Sequence, residues 1–211
     1  MEETKILFWN VDTQVDFIEP EGKLYVSGAE KLKPVLAKIT KFAAENKIRV
    51  VNTCDYHKIN SQELSNNPDF KTSFPTHCIA GTTGAEFIPE TKPELPVIIE
   101  WDSQLAIFAE FDDPEKYRNI VIQKDAFDVF EGNPYTTKVL EILKPGKTFV
   151  YGVTTNICVD KAVLGLVREG YKVFVIEDAI KELPGSALPY ENWKSLGVEM
   201  ITFANIKKYI S

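Results

Sequence analysis

The stretch FVYGVTTNICVDKAVLGLVREG, residues 149–170, decides the fold class. An apolar run reaches Gly152, polar residues follow, and apolar residues then recur at helical spacing from Cys158 onward. This order predicts a strand, a tight turn and a helix that ends at Gly170. Cys158 would lie in the first helical turn, where unpaired amides and the helix dipole favour a thiolate. Because free cysteine is among the most buried residue types, a core position is the alternative.

The alternation of short apolar strands with amphipathic helices continues along the whole chain. We predict strands at KILFWNVD, RVVNTCD, PVIIEWD, NIVIQK, TFVYGV, KVFVIED and EMITFANI. Further helices are predicted at AEKLKPVLAKITKFAAENK, YTTKVLEIL and ALPYENWKSLG, with SQLAIFAEFDDPEKY as a helical or partly helical connection. This pattern predicts a three-layer α/β/α sandwich with a mostly parallel central sheet, formed by a single domain over residues 1–211. Residues 57–96 fit no such unit and indicate a long active-site loop.

Composition narrows the class of protein. The net charge of -7 and the pI near 5.0 disfavour a nucleic-acid or anionic-membrane partner. The N-terminus MEETKILFW is acidic and does not resemble a signal peptide, and no apolar run reaches the length of a membrane span. Three cysteines without CxxC spacing fit a reducing compartment. We therefore expect a cytoplasmic protein with a small-molecule partner, and a homo-oligomer remains open.

Four residues with chemically active side chains follow predicted strands. Asp12, Asp55 and Lys124 each end an apolar strand, and Cys158 follows the turn after another. Parallel open sheets place ligands at the carboxyl ends of their strands, so these side chains are expected to converge. Each could separately be an exposed turn residue, but together they indicate an active site.

The only two histidines, His57 and His77, both lie in the long segment. Alternate side chains of extended backbone point the same way, so Asp55 and His57 would present a carboxylate and an imidazole together. With His77, and with Glu63 as a further ligand, they predict a site for one divalent ion: zinc first, with iron or manganese as alternatives. Solvated loop side chains are the alternative for the histidines and for Glu63.

The scarcity of histidine also bears on Cys158. If both histidines hold an ion, the base that deprotonates the thiol must be a carboxylate, and Asp12 is the nearest candidate. Lys124 and the helix N-terminus would lower the pKa of the thiol. The hypothesis is a catalytic triad of Asp12, Lys124 and Cys158.

Six motifs run in order along nearly the whole chain: VDTQVDF, GKLYVSGAE, DYH, FPTHCIAGTTGAEF, IQK and YGVTTNICV. In this order they resemble the isochorismatase-like cysteine hydrolases, and within them the nicotinamidase/pyrazinamidase-like enzymes. The resemblance implies a flavodoxin-like, Rossmann-like sandwich with Asp12, Lys124 and Cys158 as catalytic residues. It also implies a non-proline cis peptide between Val153 and Thr154 that shapes the oxyanion pocket.

The resemblance further implies a metal site and a substrate site. The metal ligands would be Asp55, His57 and His77, with Glu63 at a position where some relatives carry a glutamate. The substrate ring would lie between Phe17 and Phe74, for which ordinary core packing is the alternative.

The segment after Lys124 departs from the family pattern. DAFDVFEGNP stands where many nicotinamidases have a serine-alanine-phenylalanine type of segment. Asp125 and Asp128 would change the shape or polarity of the pocket, so the reaction class is better defined than the substrate. The loop also lacks the additional histidine that many nicotinamidases carry.

The expected function is that of a cysteine-dependent amidohydrolase. It would cleave a small carboxamide, with nicotinamide as the first candidate, to a carboxylate and ammonia through a thioester. The alternative within the family is a hydrolase of a carbamoyl compound, a ureido acid or another small amide. Outside it, a receiver-like phosphate switch explains the strand-end acids and lysine but leaves Cys158 and both histidines unused. A catalytically silent binding protein is the third reading.

Overall fold

This computed structural model describes residues 5–103, 117–185 and 187–210. Its central sheet has seven parallel strands. The strands are β1 (Ile6–Val11), β2 (Arg49–Asp55), β3 (Val97–Ile99), β4 (Asn119–Lys124), β5 (Lys147–Val153), β6 (Val173–Lys181) and β7 (Glu199–Ile201). Their order across the sheet is β3-β4-β2-β1-β5-β6-β7. The helices are α1 (Val15–Ile18), α2 (Lys33–Glu45), α3 (Val129–Gly132), α4 (Thr136–Leu143), α5 (Cys158–Arg168), α6 (Tyr190–Ser195) and α7 (Lys207–Ile210).

Each face of the sheet carries its own hydrophobic core. Alternate residues of β1 point to opposite faces, so Leu7 and Trp9 enter one core while Phe8 enters the other. Helices α4 and α5 pack on the first face, and α2 packs on the second. Helices on both faces of a parallel sheet confirm the predicted α/β/α sandwich.

The last strand is shorter than the sequence pattern predicts. The prediction of a strand through EMITFANI is wrong beyond Ile201, because a 3-10 turn at Phe203–Asn205 follows. The Phe203 amide donates to the Asp178 carboxylate at 2.8 Å, a contact that only the folded chain provides. The helical connection predicted at SQLAIFAEFDDPEKY lies mostly outside the described residues.

The strand order brings the predicted reactive residues to one edge. Strands β4, β2, β1 and β5 are consecutive neighbours, and Lys124, Asp55, Asp12 and the turn to Cys158 follow them in the same sequence. Asp55 and Lys124 are direct partners in the register of β2 and β4. The carboxyl edge of the sheet therefore assembles these side chains from four separate parts of the chain.

The long segment after β2 is irregular, as predicted, and buried polar side chains attach it to the sheet. Gln14 donates to the Asp55 and Ala85 carbonyls at 2.7 and 2.9 Å and accepts from the Asp55 amide at 2.8 Å. The Asp16 carboxylate accepts from the amide of Cys78 at 2.7 Å. These contacts fix the residues around His77 against α1. Among the described residues, no helix has the length and apolar character needed to cross a membrane.

Candidate active site

A buried lysine lies at the centre of the site. The Lys124 ammonium is 3.0 Å from Asp12 Oδ2 and also contacts Asp55 Oδ1. Lys124, Asp12 and Asp55 are each no more than 1% exposed. The Cys158 sulfur and one carboxylate oxygen each from Asp12 and Asp55 lie within 4.8 Å of one another. The structure thus brings the predicted triad together in one buried cluster.

Burial and charge act against each other in this cluster. Burial raises the pKa of Asp12 above its ordinary value, and Lys124 only partly offsets this rise. Burial lowers the pKa of Lys124, but Asp12 and Asp55 outweigh it, so that pKa lies well above its usual range. Burial also raises the pKa of the Cys158 thiol well above normal, with Lys124 opposing it. Burial therefore opposes the thiolate that the helix position of Cys158 favours, and it raises the basicity of the neighbouring Asp12 carboxylate.

The turn between β5 and α5 brings Cys158 to the cluster. The Val153–Thr154 peptide bond is cis. Gly152 has a φ of 120°, and a Cβ at this position would lie 2.0 Å from the Val11 carbonyl oxygen. Only glycine therefore allows β5 to pass this close to the end of β1. Cys158 is the first residue of α5, where backbone amides have no partner within the helix.

A second cluster adjoins the first through Asp55. One ligand atom each from Asp55, His57, Glu63 and His77 lies within 4.8 Å of the other three, and all four residues are buried. His77 Nε2 is 3.4 Å from Asp55 Oδ2, and His57 Nε2 is 3.8 Å from the same oxygen and 3.9 Å from Glu63 Oε1. Asp55 thus gives one oxygen to Lys124 and the other to this second cluster.

The chemistry of the second cluster fits a divalent cation. The buried His57 Nε2 has no hydrogen-bond partner although it faces two carboxylates. Nδ1 of His57 and of His77 are instead occupied by Asp125 and by the Pro75 carbonyl, at 3.0 and 2.7 Å. Ligand atoms around a tetrahedral zinc ion, each at about 2.1 Å, are separated by about 3.4 Å. The observed separations of 3.4–3.9 Å lie at and slightly beyond that value.

The electrostatics of the cluster also match a cation site. Burial lowers the pKa of His57, but Asp55 and Glu63 outweigh it and raise the pKa to about 9. Burial, followed by the charge of Asp55, raises the pKa of Glu63 to about 7. Burial opposes ionisation of Asp55, yet Lys124 and the histidines hold its pKa well below the usual range. Two carboxyl groups that repel each other beside an available imidazole are an arrangement that a cation relieves.

A small apolar pocket opens onto both clusters. Its lining includes Phe17, Phe74, Phe127, His77, Thr154 and Cys158. The Phe17 and Phe74 rings contact the His77 ring at centroid distances of 5.3 and 6.3 Å. An apolar, aromatic lining beside a few polar groups is typical of small-molecule sites.

Several contacts that hold the site were not predicted from the sequence. The Thr53 hydroxyl donates to Asp12 Oδ1 at 2.6 Å, and the Phe127 amide donates to Glu63 Oε2 at 2.6 Å. Asp125 contacts His57 and lines a polar recess on the outer side of the loop rather than the apolar pocket. The register of the sheet pairs Thr53 with Val11, next to Asp12, whereas the Phe127 contact depends on tertiary folding alone.

Other residues near the site hold the backbone. Asp128, expected to alter the pocket, instead accepts from the Phe130 amide at 2.9 Å and caps α3. Cys54 is buried within β2, and the Cys78 thiol donates to the Gly84 carbonyl at 3.6 Å. Neither of these thiols lines the apolar pocket that contains Cys158.

Comparison of the chain with known proteins identifies its family. The isochorismatase domain model matches residues 6–100 and 96–203, and the chain therefore belongs to the isochorismatase family. It is 31% identical over 172 residues to the nicotinamidase/pyrazinamidase of Mycobacterium tuberculosis strain H37Rv, covering 80% of this chain and 82% of that protein. It is 28% identical to the nicotinamidase of Acinetobacter baylyi strain ADP1, covering 93% of this chain and 92% of that protein.

A solved structure shares the fold. The pyrazinamidase of Pyrococcus horikoshii, crystallised in complex with zinc, superposes with a TM-score of 0.70 at 24% identity. The match covers 94% of this chain and 99% of that one. The similarity confirms the predicted fold of the isochorismatase-like hydrolases.

Proposed function

We propose that this chain hydrolyses a small carboxamide, nicotinamide in the first instance, to the carboxylate and ammonia through a thioester on Cys158. The observation that carries the proposal is the buried cluster in which Cys158 meets Asp12 and Lys124 at the wall of a small apolar pocket. The similarity to two nicotinamidases supports nicotinamide as the substrate.

The first half-reaction forms the thioester. Asp12 accepts the Cys158 proton as the sulfur attacks the carboxamide carbon, and Lys124 stabilises the negative charge that remains in the cluster. Backbone amides at Thr154 and Cys158 stabilise the oxyanion of the tetrahedral intermediate. The C–N bond then breaks, Asp12 returns the proton to the leaving nitrogen, and ammonia departs.

The second half-reaction releases the product. Asp12, again a carboxylate, accepts a proton from water as the water oxygen attacks the thioester carbon. The C–S bond breaks and the proton on Asp12 returns to the sulfur. The carboxylic acid leaves and gives its own proton to the solvent. Asp12 and Cys158 then have their starting protonation.

The metal site belongs to the same proposal. Asp55, His57, Glu63 and His77 would hold one divalent ion, zinc before iron or manganese, because two imidazoles and two carboxylates suit a borderline cation. When bound, the ion supplies Lewis-acid polarisation at the pocket wall. Phe17 and Phe74 would hold the substrate ring through apolar contact.

The proposal is tested by ammonia release from a panel of small amides that includes nicotinamide, a carbamoyl compound and a ureido acid. Each is assayed with and without a chelator. We expect turnover of nicotinamide by the wild type and a loss of at least about 10⁴-fold in Cys158→Ala. Comparable rates for the two proteins would contradict the nucleophile. Faster turnover of the ureido acid or the carbamoyl compound would reassign the substrate.

A further inference from the structure

The carboxylate of Asp125 contacts the second cluster, which is the proposed metal site, from outside. Its Oδ1 lies 3.0 Å from His57 Nδ1 and accepts a short hydrogen bond from the Ser61 hydroxyl. Asp125 immediately follows Lys124 at the end of β4, whereas His57 and Ser61 lie in the loop after β2. The contact therefore joins two segments that the sheet places side by side.

Every residue of the second cluster also contacts a group outside the cluster, called here its outer partner. Asp55 contacts Lys124, His77 Nδ1 contacts the Pro75 carbonyl at 2.7 Å, and Glu63 accepts from the Phe127 amide at 2.6 Å. The outer partner of His57 is a carboxylate, so among the two histidines it alone has a charged acceptor on Nδ1. Residues 124, 125 and 127 thus position three of the four cluster members.

We propose that Asp125 is a positioning residue for His57, which it holds with Nδ1 as the donor and Nε2 facing the metal site. A carboxylate on the far nitrogen fixes the tautomer and ring orientation of a metal-binding histidine and makes the near nitrogen a stronger ligand. The unpartnered His57 Nε2, which faces Asp55 and Glu63 across 3.8 and 3.9 Å, is the atom oriented in this way. The inference rests on the metal site of the proposed function.

The surroundings of Asp125 distinguish a role in positioning His57 from a role in binding the substrate. Its side chain is 23% exposed and lines the outer polar recess together with Ser61 and Trp101, and it does not line the apolar pocket. Asp125 therefore lies outside the pocket that is proposed to hold the substrate. The Ser61 hydroxyl uses its proton on Asp125, which keeps the carboxylate turned towards His57.

The test measures zinc affinity, by competition of the purified chain with a chromophoric chelator and without any amide. Outer partners of metal ligands typically contribute 10–100-fold to affinity, so Asp125→Ala is expected to weaken zinc binding by about that factor. Asp125→Asn keeps an oxygen acceptor without the charge, and Ser61→Ala leaves the carboxylate in place, so both should lose less. Asp128→Asn is the matched control, because asparagine still caps α3 and the side chain contacts no ligand.

A second measurement reports the contact directly. With only two histidines in the chain, the ring nitrogens of the zinc-loaded protein can be assigned by NMR. We expect a hydrogen-bonded His57 Nδ1 proton in the wild type that shifts upfield and exchanges faster in Asp125→Ala. A purely structural role would leave this proton unchanged while the variant melts earlier.

The zinc affinities of the variants and the His57 Nδ1 proton decide whether the inference stands. A folded Asp125→Ala with zinc affinity within twofold of the wild type, or an equal loss in Asp128→Asn, would overturn the inference. If Asp125→Ala does not fold, Asp125→Asn decides, and an unchanged affinity together with an unchanged Nδ1 proton would overturn it. A chain that binds zinc with this dependence but releases no ammonia from nicotinamide would contradict the proposed function and leave the role of Asp125 standing.

Discussion

Replacing Lys124 with methionine removes the ammonium that contacts both Asp12 and Asp55 while keeping an unbranched chain of similar length. At 3.0 Å and an effective dielectric constant of 20, the attraction between Lys124 and Asp12 is about 5.5 kcal/mol. Desolvation of the buried Lys124 ammonium costs several kcal/mol, and this cost opposes its attraction to both Asp12 and Asp55. Because the variant leaves the buried carboxylates of Asp12 and Asp55 without their shared ammonium, we expect the free energy of unfolding to fall by about 3–5 kcal/mol.

The assay is equilibrium unfolding in urea with a chelator present, so that metal binding does not contribute. Lys138→Met is the matched control, because that ammonium is 55% exposed and its pair with Glu141 should contribute less than about 1 kcal/mol. Adding Asp12→Asn to Lys124→Met should restore part of the loss, since one unpaired charge is removed. If Lys124→Met lowers the free energy of unfolding by as little as Lys138→Met, the claim that Lys124 stabilises the two buried carboxylates is refuted.

Three further changes test other parts of the site. A Cβ on Gly84 would lie 2.2 Å from Asp16 Oδ2, so Gly84→Ala should destabilise the chain by about 1–3 kcal/mol in urea unfolding, and unchanged stability would contradict the Asp16 contact. Zinc at 100 times its dissociation constant should add about 2.7 kcal/mol to the free energy of unfolding, and full occupancy in a His57→Ala, His77→Ala double variant would exclude the proposed site. Phe127 lines the apolar pocket, so Phe127→Leu should raise KM for nicotinamide by about 3–10-fold with little change in kcat. An unchanged KM would show that the Phe127 ring does not contact the substrate.

Much of the fold could be predicted because its strands are buried on both faces. Short, mostly apolar runs such as KILFWNV and RVVNTC, alternating with amphipathic helices, are typical of strands in a parallel sheet. The carboxyl-edge rule then placed Asp12, Asp55 and Lys124 together, and the register of β2 and β4 pairs the latter two directly. The error at β7 arose because the contact of Asp178 with the Phe203 amide turns the chain away after Ile201.

The site was less predictable wherever a role depends on a backbone group or on a second segment. Asp125 and Asp128 stand three residues apart in one acidic stretch, yet one contacts His57 and the other caps a short helix. Nothing in the sequence distinguishes them, because the difference lies in which segment each one faces after folding. The raised pKa of the Cys158 thiol was missed for a similar reason, since burial in the folded cluster outweighs the charge of Lys124.

The most direct test of the central claim is to detect the thioester. Rapid acid quenching during turnover of nicotinamide, followed by peptide mass spectrometry, should find an acyl group on Cys158. Cys54→Ala, which removes a thiol outside the pocket, should still give the adduct, and Cys158→Ala should give none and release no ammonia above background. Turnover without an acyl group on Cys158, or ammonia release that survives Cys158→Ala, would contradict the account.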